Sequence, residues 1–311
     1  MADCLSRCLQ GASVIVFYLI LLSGTLFFCG PLFFYVLYRC FHFSWPLGFA
    51  YLAWWFLVDL KTPNRGGRRA EFVRNNVFFR YMRDYFPVTL LKTSDLDSSK
   101  NYIFGYHPHV MGSSPIFREI AMALGVINVH HDSCKFVLTQ RGPGHSVAIA
   151  IGGTCDILNM NRDSYVITLE RRKGFVKLAL ETGAHLVPVF AFGQNNVISH
   201  QLKLNGLQTT YQIGRSKWEK WIKVFLKSCS VLPYARYCVM PYSTPITVVG
   251  KLFSFSETDK VGSPIPVEKV ENPREKQINK LHSEYAQKLK ELFYEYRDVC
   301  GVPQDTELVI Q

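Results

Sequence analysis

The hydrophobic pattern changes character twice along the chain, and each change marks a different kind of element. Residues Cys8 to Tyr38 include no Asp, Glu, Lys or Arg. This uncharged run of 31 residues is longer than the roughly 20 that cross a bilayer as a helix. After Arg39 a second uncharged stretch, Cys40 to Val58, carries Trp45, Trp54 and Trp55, side chains suited to a membrane interface. Gly30-Pro31 and Pro46 are positions where a helix kinks or turns. Residues 1–60 are therefore expected to form two transmembrane helices or a re-entrant hydrophobic hairpin. A cleavable signal has a much shorter apolar region.

The next stretch alternates cations with aromatics. Lys61, Arg65, Arg68, Arg69, Arg74, Arg80, Arg83 and Lys92 stand among Phe72, Phe78, Phe79, Tyr81, Tyr85 and Phe86, with two acidic residues between them. Such a mixture predicts a helix at the bilayer surface with its cations on phospholipid headgroups, which makes 61–100 an interfacial segment. A lone Arg39 separates the apolar runs, so the positive-inside rule puts the basic flank, and both termini with it, on the cytosolic side. The same mixture could in principle bind nucleic acid; an adjacent membrane anchor favours lipid.

Past residue 100 short apolar runs replace these patterns. Tyr102–Tyr106, Val147–Ile151, Tyr165–Leu169 and His185–Phe190 read as buried strands. Gly174–Glu181 reads as a helix closed by Gly183. With its flanking strands it predicts a βαβ unit. Ile278, Leu281, Tyr285, Leu289, Leu292 and Tyr296 recur at steps of three and four and predict an amphipathic closing helix. Residues 101–311 are thus expected to be one α/β domain facing the cytosol.

Composition adds limits to this outline. The 35 Lys and Arg against 24 Asp and Glu leave +11, which favours anionic partners such as headgroups or a phosphorylated co-substrate. Nine cysteines without a C-x-x-C pair fit neither a disulfide framework nor a zinc module. No Asn-x-Ser/Thr acceptor and no G-x-x-x-x-G-K-[ST] loop occurs, which argues against a lumenal domain and against nucleotide hydrolysis.

Three places can carry chemistry. His107-Pro108-His109 follows the strand Tyr102–Tyr106 directly, where open α/β sheets build their sites. An imidazole there can take a proton from an attacking alcohol at neutral pH; two histidines bonding loop backbone is the structural reading of the same residues. Asp156 follows Gly152-Gly153-Thr154-Cys155 after the strand ending at Ile151 and can orient such a base. Spacing equally allows it an Asx turn or a helix N-cap. Arg171-Arg172-Lys173 stands at the start of a helix, where the dipole and backbone N–H groups already favour an anion and guanidinium forks add phosphate contacts; a solvated helix end is the plain reading. His107, His109, His130, His131 and Asp132 also make an assortment of metal ligands, with His130–Asp132 expected in a loop and no resident metal expected.

Taken in order, these segments resemble the type-2 diacylglycerol acyltransferase family, which includes monoacylglycerol and wax-alcohol acyltransferases. The resemblance runs from about Val58 to the C-terminus. It rests on Thr62-Pro63 with Gly66-Gly67-Arg68-Arg69, on Arg83-Asp-Tyr-Phe-Pro87, on Tyr102-Ile-Phe-Gly-Tyr-His-Pro-His109 and on Arg172-Lys-Gly-Phe-Val-Lys-Leu-Ala179. Leu186-Val-Pro188 with Phe192-Gly193, and Val239-Met-Pro-Tyr242 before Pro245-Ile246-Thr247, extend it. The resemblance implies a mixed sheet flanked by helices, as in glycerolipid acyltransferases, in an enzyme of the endoplasmic reticulum membrane and lipid droplet. It implies acyl-CoA as co-substrate, no tightly bound cofactor and a neutral lipid alcohol as acceptor. It also implies His109 as general base in a His-Pro-His-Gly signature, with His107 bracing the turn, Asp156 in the place of a supporting Glu, and Arg171, Arg172 and Lys173 toward the CoA phosphates.

The chain departs from the family pattern in four places. Val110 stands where the family has Gly, Asp156 where it has Glu, and Phe117 passes directly to Arg118 where the family has some tens of intervening residues. Gly250-Lys-Leu-Phe253 replaces a more usual Gly-x-Pro-Ile. These departures keep an inactive lipid-binding member open beside the acyltransferase, with a metal-dependent hydrolase as a further alternative. The acceptor stays open among monoacylglycerol, diacylglycerol, fatty alcohol and a sterol-like alcohol, and homo-oligomers are compatible with the sequence.

Overall fold

The computed structural model describes residues 5–16, 45–92, 96–108, 115–153, 156, 164–196, 243–250 and 264–311, and for 45–48, 52, 92, 115–118 and 164 the backbone alone. Helix α1 covers 5–16, and α2 is Trp45–Trp54, continued by a π-helical turn Trp55–Asp59. Among the described residues no helix is long and apolar enough to cross a membrane; most of the first predicted span, residues 17–44, lies outside them.

The basic stretch is not one surface helix. Asn75 and Asn76 divide it into α3 (Glu71–Arg74) and α4 (Val77–Tyr85), because the Asn76 side chain caps α4 by accepting from Phe78 N at 2.9 Å. Pro87 then blocks further helix, and Val88–Lys92 becomes strand β1. Both acidic residues of the stretch are paired: Glu71 takes Arg69 and Arg74, and Asp84 takes Arg83.

The central sheet has the order β1-β6-β5-β2-β3, with β2 Tyr102–His107, β3 Ser146–Ala150, β5 His185–Phe192 and β6 Ile246–Gly250. β2 runs parallel to β3 and β5, while β6 joins β5 antiparallel and pairs with β1 parallel. The sheet is therefore mixed. Helices α5 (Pro115–Leu124), α6 (His131–Gln140), α7 (Gly174–Thr182) and α8 (Glu275–Tyr296) complete the domain. Gly183 caps α7 in the left-handed region, φ 73°, as its position predicts.

The expected βαβ unit is corrected. Both strands flanking α7 form, but β4 (Ser164–Ile167) lies in a separate two-stranded sheet with β7 (Glu307–Ile310). The alternating run Glu307-Leu-Val-Ile310 supplies β4 with a parallel partner, a pairing that the pattern of β4 alone cannot announce.

Period-two alternation along β2 decides which residues meet α8. Ile103 and Gly105 alternate with Tyr102, Phe104 and Tyr106; Ile103 belongs to the main core and Tyr102 to a smaller cluster with Val187 and Val189. His107 shares the Ile103–Gly105 face, where α8 packs. The predicted apolar stripe of α8 is buried there at Leu281, Tyr285, Leu289 and Leu292, joined by Phe293. Phe293 meets Phe190 and Phe192 of β5 and Tyr165 of β4 at ring-centroid distances of 5.2, 5.6 and 5.3 Å. Each such buried side chain contributes roughly 1.5–3 kcal/mol, so α8 clamps both sheets together.

Candidate active site at the strand ends

β2 ends at His107, which is fully buried and followed by a cis bond to Pro108. Its Nε2 lies 3.2 Å from the Tyr285 hydroxyl, and that hydroxyl donates to Gly105 O at 3.1 Å. The Gly105 position explains the glycine inside a buried strand: a methyl group there would fall 1.9 Å from the Tyr285 hydroxyl oxygen. Burial pushes the His107 imidazole down to about 3, so this ring stays neutral at physiological pH and is unsuited to taking up a proton.

Asp156 lies in helical backbone just past the turn beyond the neighbouring strand. Tyr106 stands opposite Ala150, so the turn after β3 starts beside His107-Pro108. The Asp156 carboxyl rests directly on Gly152, where a methyl group would lie 1.7 Å from Oδ2. Oδ1 accepts from Thr168 N at 2.7 Å, twelve residues along the chain, so the bond seen is long-range rather than an Asx turn or N-cap. Burial raises this carboxyl to about 6, and the Thr168 bonds and the Arg172 charge offset part of that rise.

Of the buried polar side-chain atoms without a hydrogen-bond partner among the described residues, two, His107 Nδ1 and Asp156 Oδ2, belong to these strand ends. An unmet buried acceptor costs about 1–3 kcal/mol, and folded chains keep such atoms chiefly where function needs them. His109, with Val110 and Gly112, lies outside the described residues.

The basic cluster comes to the same region. Arg171, Arg172 and Lys173 are exposed at the N-terminal end of α7, and Lys173 Nζ donates to Asn279 Oδ1 of α8 at 2.7 Å. Of the hydrolase ligand set, His109 lies outside the described residues, and among those described no group of three His, Cys, Asp or Glu can hold a metal. His131 and Asp132 open α6 rather than lying in a loop, and His131 Nε2 meets Glu181 Oε2 at 3.1 Å.

Sequence reasoning placed Tyr285 in the core without its polar role, and it did not mark Gly105 or Thr168. The signals for the first two were present: a glycine within an apolar strand, and a tyrosine in an apolar helical stripe whose hydroxyl needs a partner. Thr168 acts through its backbone N–H and its side chain on a carboxyl twelve residues away, a pairing that spacing along the chain does not report.

The family model described as diacylglycerol acyltransferase matches residues 35–114 and 112–311. The diacylglycerol O-acyltransferase 2 of Xenopus tropicalis is 35% identical over 309 residues, covering 85% of this chain and 79% of the relative. The human 2-acylglycerol O-acyltransferase 3 is 32% identical, covering 91% and 89%, and the Bos taurus 2-acylglycerol O-acyltransferase 1 is 33% identical, covering 99% and 97%. No solved structure matches. The chain belongs to the diacylglycerol acyltransferase family and is an acyltransferase.

Proposed function

We propose that this chain transfers a fatty acyl group from acyl-CoA to the hydroxyl of a monoacylglycerol or diacylglycerol, with His109 as general base. The observation that supports the base assignment is the second oxygen of Asp156. With Oδ1 held by Thr168 N–H, Oδ2 is buried and has no partner among the described residues, in the turn region next to the strand that leads into the His-Pro-His signature, a place suited to receiving the N–H of an imidazole and orienting it. His109 takes the proton of the acceptor hydroxyl as its oxygen attacks the thioester carbonyl carbon. The tetrahedral intermediate expels CoA thiolate, which recovers a proton from the imidazolium, and no acyl-enzyme forms. Neutral, buried His107 braces the turn.

Arg171 and Arg172, with Lys173 anchored to Asn279, hold the CoA phosphates beside Asp156. Residues 1–60 anchor the chain in the endoplasmic reticulum membrane, 61–100 lies at the cytosolic interface and 101–311 carries the reaction. Exposed Phe49, Phe56, Leu57, Val58 and Leu60 on the α2 segment, and Phe72 beside it, support that anchorage. Arg68 departs from the headgroup role: it forks between Asp59 and Glu119 and lies over Trp54 at 4.9 Å, locking the interfacial segment onto α5.

The test is incorporation of radiolabelled oleoyl-CoA into neutral lipid by microsomes bearing this chain or its His109→Ala variant, with monoacylglycerol and diacylglycerol offered in parallel. Label in triacylglycerol or diacylglycerol that disappears in the variant is the expected result. Wild-type levels of label from His109→Ala would sink the base assignment.

A further inference from the structure

The Tyr285 hydroxyl has a single proton and two polar neighbours in the core, Gly105 O at 3.1 Å and His107 Nε2 at 3.2 Å. A carbonyl oxygen can only accept. If the Tyr285 proton went to His107 Nε2, two acceptor oxygens would face each other at 3.1 Å in a buried site, with nothing to offset their repulsion. Both contacts are hydrogen bonds in one arrangement only: Tyr285 donates to Gly105 O, and His107 carries its ring proton on Nε2 and donates it to Tyr285. The neutral ring then has a bare lone pair on Nδ1. That atom, two bonds from Cβ, stays beside the backbone at the end of β2, buried and unmet among the described residues. Pro108 has no N–H with which to satisfy it.

We infer that Tyr285, on the distant closing helix α8, is a positioning residue for acyl transfer: it fixes the tautomer of His107 and so presents Nδ1 as an acceptor where β2 hands over to the His-Pro-His turn. This deepens the reading of His107 as the brace of that turn and rests on it. An acceptor at Nδ1 puts a lone pair at the end of β2, directly before the cis bond to Pro108, whereas the opposite tautomer would put a proton there. Tyr285 never meets substrate. Its position is set by packing, its ring lying 4.8 Å from Phe175 of α7, and by Gly105, whose missing side chain admits the hydroxyl. The closing helix, the central strand and the first residue of the signature thus form one hydrogen-bonded unit.

The experiment compares six forms of the full chain in microsomes: wild type, His109→Ala, Tyr285→Phe, His107→Asn, His107→Gln and the His107→Asn/Tyr285→Phe double variant. Tyr285→Phe keeps the ring and its packing and removes only the hydroxyl. It is expected to lower kcat about 10–100-fold, the size typical of lost outer-sphere support, with KM for oleoyl-CoA unchanged. Asparagine places an amide oxygen near the Nδ1 position and has no tautomers, whereas glutamine places its amide near Nε2 and leaves the Nδ1 position empty. His107→Asn should therefore retain more activity than His107→Gln, and adding Tyr285→Phe to His107→Asn should cost nothing further. Wild-type kcat in Tyr285→Phe overturns the inference. So does a Tyr285→Phe loss that multiplies unchanged through the His107→Asn background, since that outcome gives the Tyr285 hydroxyl a role, such as its bond to Gly105 O, that does not pass through His107. Full activity in His109→Ala together with the expected Tyr285→Phe pattern would remove the base assignment and leave the tautomer lock standing. No turnover in the wild type would overturn both.

Discussion

Burial acts on the two titratable groups at the strand ends in opposite directions, and the consequence is measurable. His107 falls from its ordinary 6.5 to about 3, so between these pH values the unfolded chain binds a proton that the folded chain refuses. Stability is then lost as pH falls through that window. Asp156 rises from 3.8 to about 6, so here the folded chain holds the extra proton and stability is gained as pH falls from 6 toward 3.8. From pH 6 to pH 4 the two effects are each on the order of 3 kcal/mol and nearly cancel. Replacing either residue uncovers the other. Relative to wild type, His107→Asn is expected to gain thermal stability on acidification from pH 6 to pH 4, and Asp156→Asn to lose it. Melting curves of detergent-solubilised protein at pH 4, 5 and 6 check both signs, and parallel curves for all three forms would contradict the burial of the pair. At this scale the sequence announced His107 and Asp156 through their places after apolar strands. It was silent on their protonation, which depends on what α8 and the Thr168 segment bring against them.

At the scale of elements, the segment after β4 decides how the Asp156 carboxyl is held, and the C-terminal strand in turn holds that segment. Thr168 N donates to Asp156, Leu169 N and Glu170 N both donate to Gln311 O at 2.7 and 2.9 Å, and Gln311 N donates to Ile167 O at 2.9 Å. His282 Nε2 of α8 meets Leu169 O at 3.0 Å, where the ring nitrogen must be the donor. Deleting residues 309–311 strips the acceptor from the two N–H groups that follow the Asp156 contact and the donor from Ile167 O before it, and so frees the Thr168 segment. A loss of at least about tenfold in acyl transfer is expected, in line with other outer-sphere supports. Gln311→Ala keeps every one of these backbone bonds and should transfer label at the wild-type rate. Equal activity in the deletion and the alanine variant would show that β7 supports nothing. This arrangement is also where sequence reading ran out. β2, β3, β4 and β5 were legible as bounded apolar runs and α7 and α8 as helices, whereas β1, β6 and β7 carried no such mark. Strand partnership was not legible, since β4 reads identically whether its neighbour is β5 or a segment 140 residues away. The break at Asn75-Asn76 lay in plain view as capping chemistry, but the continuous run of cations and aromatics around it masked the signal.

For the whole molecule, an overall charge of +11 meets a co-substrate whose head is polyanionic, and the arrangement around α7 makes that charge specific. Arg171 and Arg172 are exposed at a helix N-terminus beside the carboxyl that supports the proposed base, while Lys173 is drawn onto Asn279. Each lost charged contact to a phosphate is worth about 1.5–3 kcal/mol, and 1.4 kcal/mol is a factor of ten. Arg171→Ala is therefore expected to raise KM for oleoyl-CoA about tenfold or more with little change in kcat. Added salt should raise the wild-type KM toward that of the variant, because screening acts over about 8–10 Å. Arg172→Ala should do one thing more. Its guanidinium helps keep the Asp156 carboxyl ionised, so its removal lets that group hold a proton at higher pH. If the ionised carboxyl orients the base, the acid limb of kcat against pH moves upward in Arg172→Ala and stays in place in Arg171→Ala. Full pH profiles of the three forms at saturating oleoyl-CoA separate the two roles: an upward shift confined to Arg172→Ala ties the phosphate cluster to the catalytic carboxylate, and superimposable profiles would leave the cluster as a binding site alone.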